Sequence, residues 1–362
     1  MRPKIKSFDS TRRNFLYNTG LLTLAAALPG NILANDLSRK KMGIVVHSYG
    51  LRWNSKAKSR TYPAFENAMQ LLEHCHSIGA GGMQVGVQNW TSGFAQALKN
   101  RSMALDMYIE GSLALPKEDV SQFERQVETA KEAGVTIFRT VCLSGRRYEN
   151  FKSRKDFDIF KERSLEALKV AVKIAEKYQV KLAIENHKDW RAKELVEIIR
   201  WLDSEWAGVT LDFGNNISLL EDPDEVIERL APYAFSTHIK DMGLQTYDSG
   251  FLLSEIPLGT GVVDLKRAVE LCVKHNPQIN FNLEMITRNP LKVPCLESDF
   301  WPTFEELPAE DLARTLRLVR DNSSDEKLPM VSHLSPEGQL AREEENIIAC
   351  MQHSQQELNM KN

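Results

Sequence analysis

The chain has 362 residues, of which 42% are hydrophobic and 26% charged, with a formal net charge of −3. That composition is globular and holds enough apolar material for one large core. The mild acidity argues against a nucleic-acid partner, which would want a basic face. Past the N-terminus no segment has the length and apolarity of a transmembrane helix.

Residues 1–34 read as a targeting segment. A basic start (Arg2, Lys4, Lys6) leads to the pair Arg12-Arg13, then to an apolar run over 21–28 and to Ala34. Paired arginines, a short apolar stretch and a closing small residue describe a bacterial twin-arginine export signal. The stretch is too short to span a bilayer, so it is either cleaved near Ala34 or retained as an N-terminal anchor. Its removal strips five basic residues and one acid and takes the net charge from −3 to −7. The expected location is periplasmic, with no stable membrane insertion after processing. The twin-arginine route carries folded proteins, so any metal would be acquired in the cytoplasm.

Eight short β-rich segments follow, at 43–49, 82–87, 104–109, 135–143, 180–187, 209–215, 234–240 and 279–286. Helix-like stretches separate them, at 64–78, 95–99, 120–133, 157–178, 192–202, 223–230 and 265–275, and 309–319 follows the last strand. In 157–178, Phe160, Leu165, Leu168, Ala171, Val172 and Ala175 recur at helical spacing, with charged residues on the other face. Eight such alternations predict a single (β/α)₈ TIM barrel over 41–320 rather than an open sheet. No GxGxxG follows the first strand, so nothing marks a dinucleotide fold. Residues 321–362 form a polar extension with a helix over 337–358, packed outside the barrel or on a second subunit of a homo-oligomer. The five cysteines (Cys75, Cys142, Cys272, Cys295, Cys350) are scattered without CxxC spacing. They read as small buried hydrophobes.

Barrel enzymes carry their chemistry where the strands end. Strands five to eight each end in one acid or histidine after an apolar run: Glu185, Asp212, His238 and Glu284. Singly, each acid suits a cap or an ion pair. Together, three carboxylates in one mouth repel each other unless a cation lies among them. Three carboxylates and an imidazole suit one divalent metal ion, Mn²⁺ first, with Mg²⁺, Co²⁺ or Zn²⁺ as alternatives. Four ligands leave two octahedral positions for adjacent sugar oxygens.

The segments Ile184-Glu185-Asn186-His187, Leu211-Asp212-Phe213-Gly214-Asn215, Thr237-His238-Ile239-Lys240-Asp241 and Leu283-Glu284 resemble strand ends of the xylose-isomerase-like TIM-barrel superfamily. Gly259-Thr260-Gly261-Val262-Val263-Asp264 resembles its G-x-G-x-x-D turn. That superfamily contains sugar isomerases, the tagatose/psicose 3-epimerases and endonuclease IV. The resemblance implies that Glu185, Asp212, His238 and Glu284 bind one metal, with Glu185 and Glu284 also serving as acid and base. Three substrate-holding positions of the 3-epimerases differ here, where this chain has Asn215, Arg191 and Leu244. The additional histidine ligands and DNA-binding face of endonuclease IV are not evident.

His187 and Lys240 each lie two positions beyond a ligand and are candidates to shuttle a proton or polarise an oxygen, or simply to hydrogen-bond the ligands. His47, Arg139 and Gln84 are weaker pocket candidates. Trp90 and Trp301 suit either sugar stacking or packing, and Arg288 and Lys292 either an anion or solvent. The expected function is a metal-dependent sugar isomerase or epimerase that abstracts a proton beside a carbonyl and passes through an enediolate. A 3-keto-glycoside lyase or hydrolase is the alternative, and a non-catalytic carbohydrate-binding barrel the third reading. All three take a small-molecule carbohydrate.

Overall fold

The computed structural model describes residues 40–304, 307–323 and 327–361; the expected export signal lies outside them. Seven strands come first: β1 (Met42–Val45), β2 (Gly82–Gly86), β3 (Tyr108–Ser112), β4 (Ile137–Thr140), β5 (Lys181–Glu185), β6 (Ala207–Asp212) and β7 (Ala234–Ile239). They are followed by β8 (Asp241–Tyr247), β9 (Gly250–Ile256), β10 (Asn280–Leu283) and β11 (Leu291–Val293). Strands β1 to β7 and β10 close an all-parallel barrel in the order β1-β10-β7-β6-β5-β4-β3-β2. The expected (β/α)₈ architecture is therefore present.

Local chemistry sets the helix limits. Ala192–Leu202 begins with Glu194 bonded back to the Arg191 amide and ends at Asp203, whose φ of 46° is left-handed. Pro223–Leu230 starts with proline in its first turn, where no amide donor is needed, and is capped by Asp222. Asp264 caps Leu265–His275. All three coincide with the expected helices.

The third unit departs from expectation. Ser92–Ala104 is one 13-residue helix, and β3 starts only at Tyr108, after a left-handed turn at Asp106. Gly111, which looks like a strand breaker, lies inside the strand because a Cβ there would come 2.7 Å from the Phe138 ring.

Two further elements shape the barrel mouth. Strands β8 and β9 form an antiparallel hairpin, joined by β11 into a three-stranded sheet that the βα alternation does not predict. The C-terminal helix, Pro336–Gln356, buries Leu340, Ile347 and Met351, three residues of the expected stripe. It sits at the rim of the mouth. Glu343 accepts hydrogen bonds from the Leu51 amide (2.7 Å) and the Arg52 amide (3.0 Å), Asn346 donates to Thr287 Oγ1 (2.9 Å), and Cys350 Sγ accepts from the Leu258 amide (3.4 Å). The helix thus braces three loops on the face where the barrel strands end.

Burial raises the pKa of Glu343 to about 7, outweighing its two backbone donors. A carboxyl with a raised folded pKa stabilises the fold at low pH, and that contribution is lost as pH rises through about 7. Glu343→Gln is expected to flatten the fall in urea-unfolding free energy between about pH 4.5 and 7.5 by on the order of 1–3 kcal/mol. An unchanged slope would show this carboxyl to be ionised throughout.

Candidate metal centre

Glu185 ends β5, Asp212 ends β6, His238 is next to last in β7, and Glu284 directly follows β10. Parallel pairing sets Asp212 beside His238, and His238 beside Asn282. All four side chains are buried. One donor atom from each lies within 4.8 Å of the others, so the cluster can hold one metal ion. Ligands about 2.1 Å from a shared ion would lie about 3–4 Å apart, which suits that spacing.

The imidazole is the most telling member. His238 Nδ1 faces Glu284 Oε2 at 3.5 Å, Glu185 Oε2 at 3.7 Å and Asp212 Oδ2 at 3.8 Å. Those separations are too long for hydrogen bonds, and the buried Nδ1 has no hydrogen-bond partner. Its other nitrogen, Nε2, lies 2.8 Å from Gln84 Oε1. The Gln84 amide is oriented by its own donation to Glu110 Oε2 at 3.0 Å. An amide oxygen only accepts, so Nε2 carries a proton, and once Nδ1 gives up its own proton it would aim a lone pair at the three acids. The donor set fits a divalent metal.

Protein cations also enter the cluster. Lys240 Nζ lies 2.6 Å from Glu284 Oε2 and 2.7 Å from Asp212 Oδ2, and Arg139 Nε donates to Glu185 Oε2 at 2.5 Å. The lysine is close enough to Asp212 Oδ2 for an ion pair but poorly aligned for a hydrogen bond, so that oxygen remains unsatisfied. The idea that only a bound ion reconciles these acids is therefore too strong. Arg139 and Lys240 also balance them. Burial opposes charge on Glu185, but Arg139 and His238 hold it well below the usual carboxylate range; Lys240 and His238 do the same for Glu284. At Asp212 burial prevails over Lys240 and the pKa rises.

The other candidates divide. His47 Nδ1 lies 2.9 Å from Glu284 Oε1, on the open side of the cluster. His187 Nδ1 is buried without a hydrogen bond, and burial together with Lys188 pushes its pKa down to about 3, so the ring stays neutral. Arg288 pairs with the buried Glu255 of β9, Lys292 is exposed on β11, and Trp301 donates to the Cys295 carbonyl while packing on Phe300 and Phe304. Arg191 is turned away to Asp311, and Leu244 is buried in the hairpin. The glycine turn serves the structure, since the amides of Gly259, Gly261 and Val263 all donate to the Asp241 carboxylate.

Sequence reasoning missed Glu110 and Lys188 and named Asn215 only as a departure from the 3-epimerases. Glu110 lies beneath His238 and accepts from Gln84, Ser236, Asn280 and Asn282. Asn215 donates to Glu185 Oε1 at 3.0 Å, while its Oδ1 accepts from Lys188 and, at 3.4 Å, from Lys240. Lys188 is only 3% exposed, and among the described residues the one hydrogen bond of its ammonium goes to that neutral amide.

The xylose isomerase-like TIM barrel family profile matches residues 104–322. The chain belongs to that family. A stretch of 230 residues is 26% identical to the 3-oxo-isoapionate decarboxylase of Pectobacterium atrosepticum, covering 62% of this chain and 78% of that protein. Among solved structures, a xylose isomerase-like barrel protein from Mycobacterium smegmatis in complex with magnesium is similar at a TM-score of 0.52. It is 14% identical, with 79% of this chain and 98% of that one covered. The D-psicose 3-epimerase of Clostridium cellulolyticum H10, solved with D-tagatose, is similar at 0.51 and 14% identity, with coverage of 78% and 97%. At such identities these two structures share the fold.

Burial works against a charge on His238, but Glu284 and Glu185 outweigh it and raise the pKa to about 9. A metal ion must then displace a proton from Nδ1 at neutral pH. Titration of the metal-free protein with Mn²⁺ is expected to give one site per chain, with affinity rising up to about tenfold per pH unit below 9 and release of about one proton. His238→Ala should abolish both effects. Mn²⁺ binding that ignores pH would place the ion elsewhere.

Proposed function

We propose that this protein is a metal-dependent enzyme that enolises a keto sugar, with Glu284 as the base that removes the proton beside the carbonyl. The convergence of four donor atoms around an unpartnered imidazole nitrogen carries this reading. A divalent ion held by Glu185, Asp212, His238 and Glu284, Mn²⁺ in our reading, would supply Lewis acidity toward a ketone and its neighbouring hydroxyl.

The two glutamates are not equivalent. Both have their two oxygens engaged, but the partners of Glu185, Asn215 and Arg139, are buried and Glu185 itself has no exposure. Glu284 borders His47, whose side chain is 44% exposed and so links the base to the open mouth. A proton taken by Glu284 can pass to His47 or be returned by Glu284 itself to the neighbouring carbon, while the Lys240 ammonium, 2.6 Å from Glu284 Oε2, orients that carboxylate. His187, kept neutral, is a second polar group for a substrate hydroxyl. Epimerisation at one carbon by two opposed carboxylates would require Arg139 to release Glu185. A single base supports aldose–ketose isomerisation, or elimination of a β-substituent from a 3-keto-glycoside, better than two-base epimerisation. Location outside the cytoplasm, which rests on the paired arginines alone, would make glycosides the accessible substrates.

Lys188 favours a second reading. A buried ammonium with one neutral acceptor suits a substrate carboxylate. Loss of that carboxylate as CO₂ would leave its electron pair in the same enediolate, without any C–H abstraction. The similarity to a decarboxylase is consistent with this.

In D₂O, Mn²⁺-dependent deuterium wash-in beside the carbonyl of a ketose or 3-keto-glycoside is expected. Glu284→Gln should reduce it by about 10²–10⁴-fold, the usual contribution of a general base. CO₂ release from a 3-oxo sugar acid, with solvent deuterium entering the product only at the carbon that lost CO₂ and none exchanging into unreacted substrate, would select decarboxylation. Neither reaction with any substrate would leave a carbohydrate-binding barrel.

A further inference from the structure

A cavity of about 590 Å³ opens beside the cluster, on the side of β1, β2 and β3. It joins the centre at two points. His47, on its wall, reaches Glu284, and Ser112, at its floor, accepts from Arg139 at 3.3 Å. Cavities that bury drug-sized ligands span roughly 300–1,000 Å³, so this space exceeds what one free monosaccharide needs.

Its lining differs from that of the metal centre. Trp53 and Asn54 come from the loop after β1, and Gln88, Asn89 and Trp90 from the loop after β2. Indole faces beside carboxamides suit a pyranose ring, whose C–H face packs on an aromatic surface while its hydroxyls exchange hydrogen bonds with amides. Both rims are built. Asn89 holds a left-handed φ of 63°, a conformation asparagine tolerates, and this turns the chain sharply between Gln88 and Trp90. Gln88 folds its amide back over Gly86, where a Cβ would stand 2.5 Å from Gln88 Oε1. Trp90 packs edge-on against Phe94, with ring centroids 5.8 Å apart. On the opposite loop, Glu343 fixes the Leu51 and Arg52 amides just before Trp53, and the Arg52 guanidinium lies 4.2 Å over Phe65.

We propose that this cavity is a subsite for a second, unreacting sugar ring, so that the substrate is a disaccharide-like glycoside whose reacting ring occupies the metal centre. The position of the reacting ring rests on the proposed function; the subsite itself does not require turnover. Charged side chains hold the reacting ring, and amides and indoles, with the single carboxylate of Glu66 among them, hold its partner.

The test uses metal-free and Mn²⁺-loaded protein with glucose and a set of unoxidised glucosyl disaccharides of every linkage, read by calorimetry and tryptophan fluorescence. At least one disaccharide is expected to bind tenfold or more tightly than glucose in both forms and to change tryptophan emission. Trp90→Ala and Gln88→Ala, the latter an exposed position, should each remove most of that advantage while His238-dependent Mn²⁺ binding persists. Equal, weak binding of glucose and all disaccharides to folded protein would overturn the subsite. Tight binding of 4-nitrophenyl glucoside with no disaccharide preference would also overturn it, in favour of an aromatic aglycone. Disaccharide binding without turnover of any keto-sugar would retain the subsite and reject the proposed chemistry.

Discussion

The mouth of this barrel is governed by charge balance in a dry space. Glu185, Asp212 and Glu284 are withdrawn from water, and each unpaired charge there would cost several kcal/mol. The fold answers with Arg139 on Glu185 and Lys240 between Asp212 and Glu284. The remaining orientations follow from that answer. Asn215 fills the second oxygen of Glu185, His47 faces that of Glu284, and the Gly214 and Asn215 amides hold Asp212 Oδ1. His238 alone is left facing the acids with nothing between. These ion pairs and hydrogen bonds preorganise the cluster around one point.

A divalent ion added to this set would turn the mouth net positive. Five buried carboxylates, counting Glu110 and Glu255, lie with Arg139, Lys240, Arg288 and Lys188. An enediolate, with or without a carboxylate, would suit the surplus better than a neutral ground-state sugar. Preference for charge that appears during the reaction is how a fixed polar environment lowers a barrier.

The fold is legible in the sequence because its signals are local. Apolar runs mark the strands, and Asp222-Pro223, Asp203 and Asp264 fix three helices to the residue. The cluster is legible because a barrel strand presents its terminal side chain to the mouth, so four strand ends in a row can be read together. What escapes depends on tertiary context. The expected third strand, 104–109, stops one residue short of Glu110, which the observed strand Tyr108–Ser112 contains. Lys188 and Asn215 lie beyond their strands, where no period assigns a direction. The β8–β9 hairpin has no place in a βα repeat, so the alternation assigns no element to residues 241–256. The C-terminal helix is expected from its apolar stripe, yet its hold on the rim rests on Glu343, a charged residue that a hydrophobic pattern passes over.

The barrel also separates two kinds of chemistry around its circumference. Strands β5, β6, β7 and β10 deliver the acids and the imidazole, whose places are fixed by parallel register. The loops after β1 and β2 deliver indoles and amides, whose places are fixed by a left-handed asparagine and by a carboxylate from the C-terminal helix. His47 and Arg139 stand on the boundary, each touching one glutamate of the cluster. A ligand spanning that boundary has one orientation that puts its polarisable carbonyl among charges and its neutral ring among aromatics. The reverse orientation strands buried charge against indole. Orientation would therefore follow from desolvation before any single contact is made, and under the proposed function it would set Glu284, the glutamate on the open side, toward the reacting carbon.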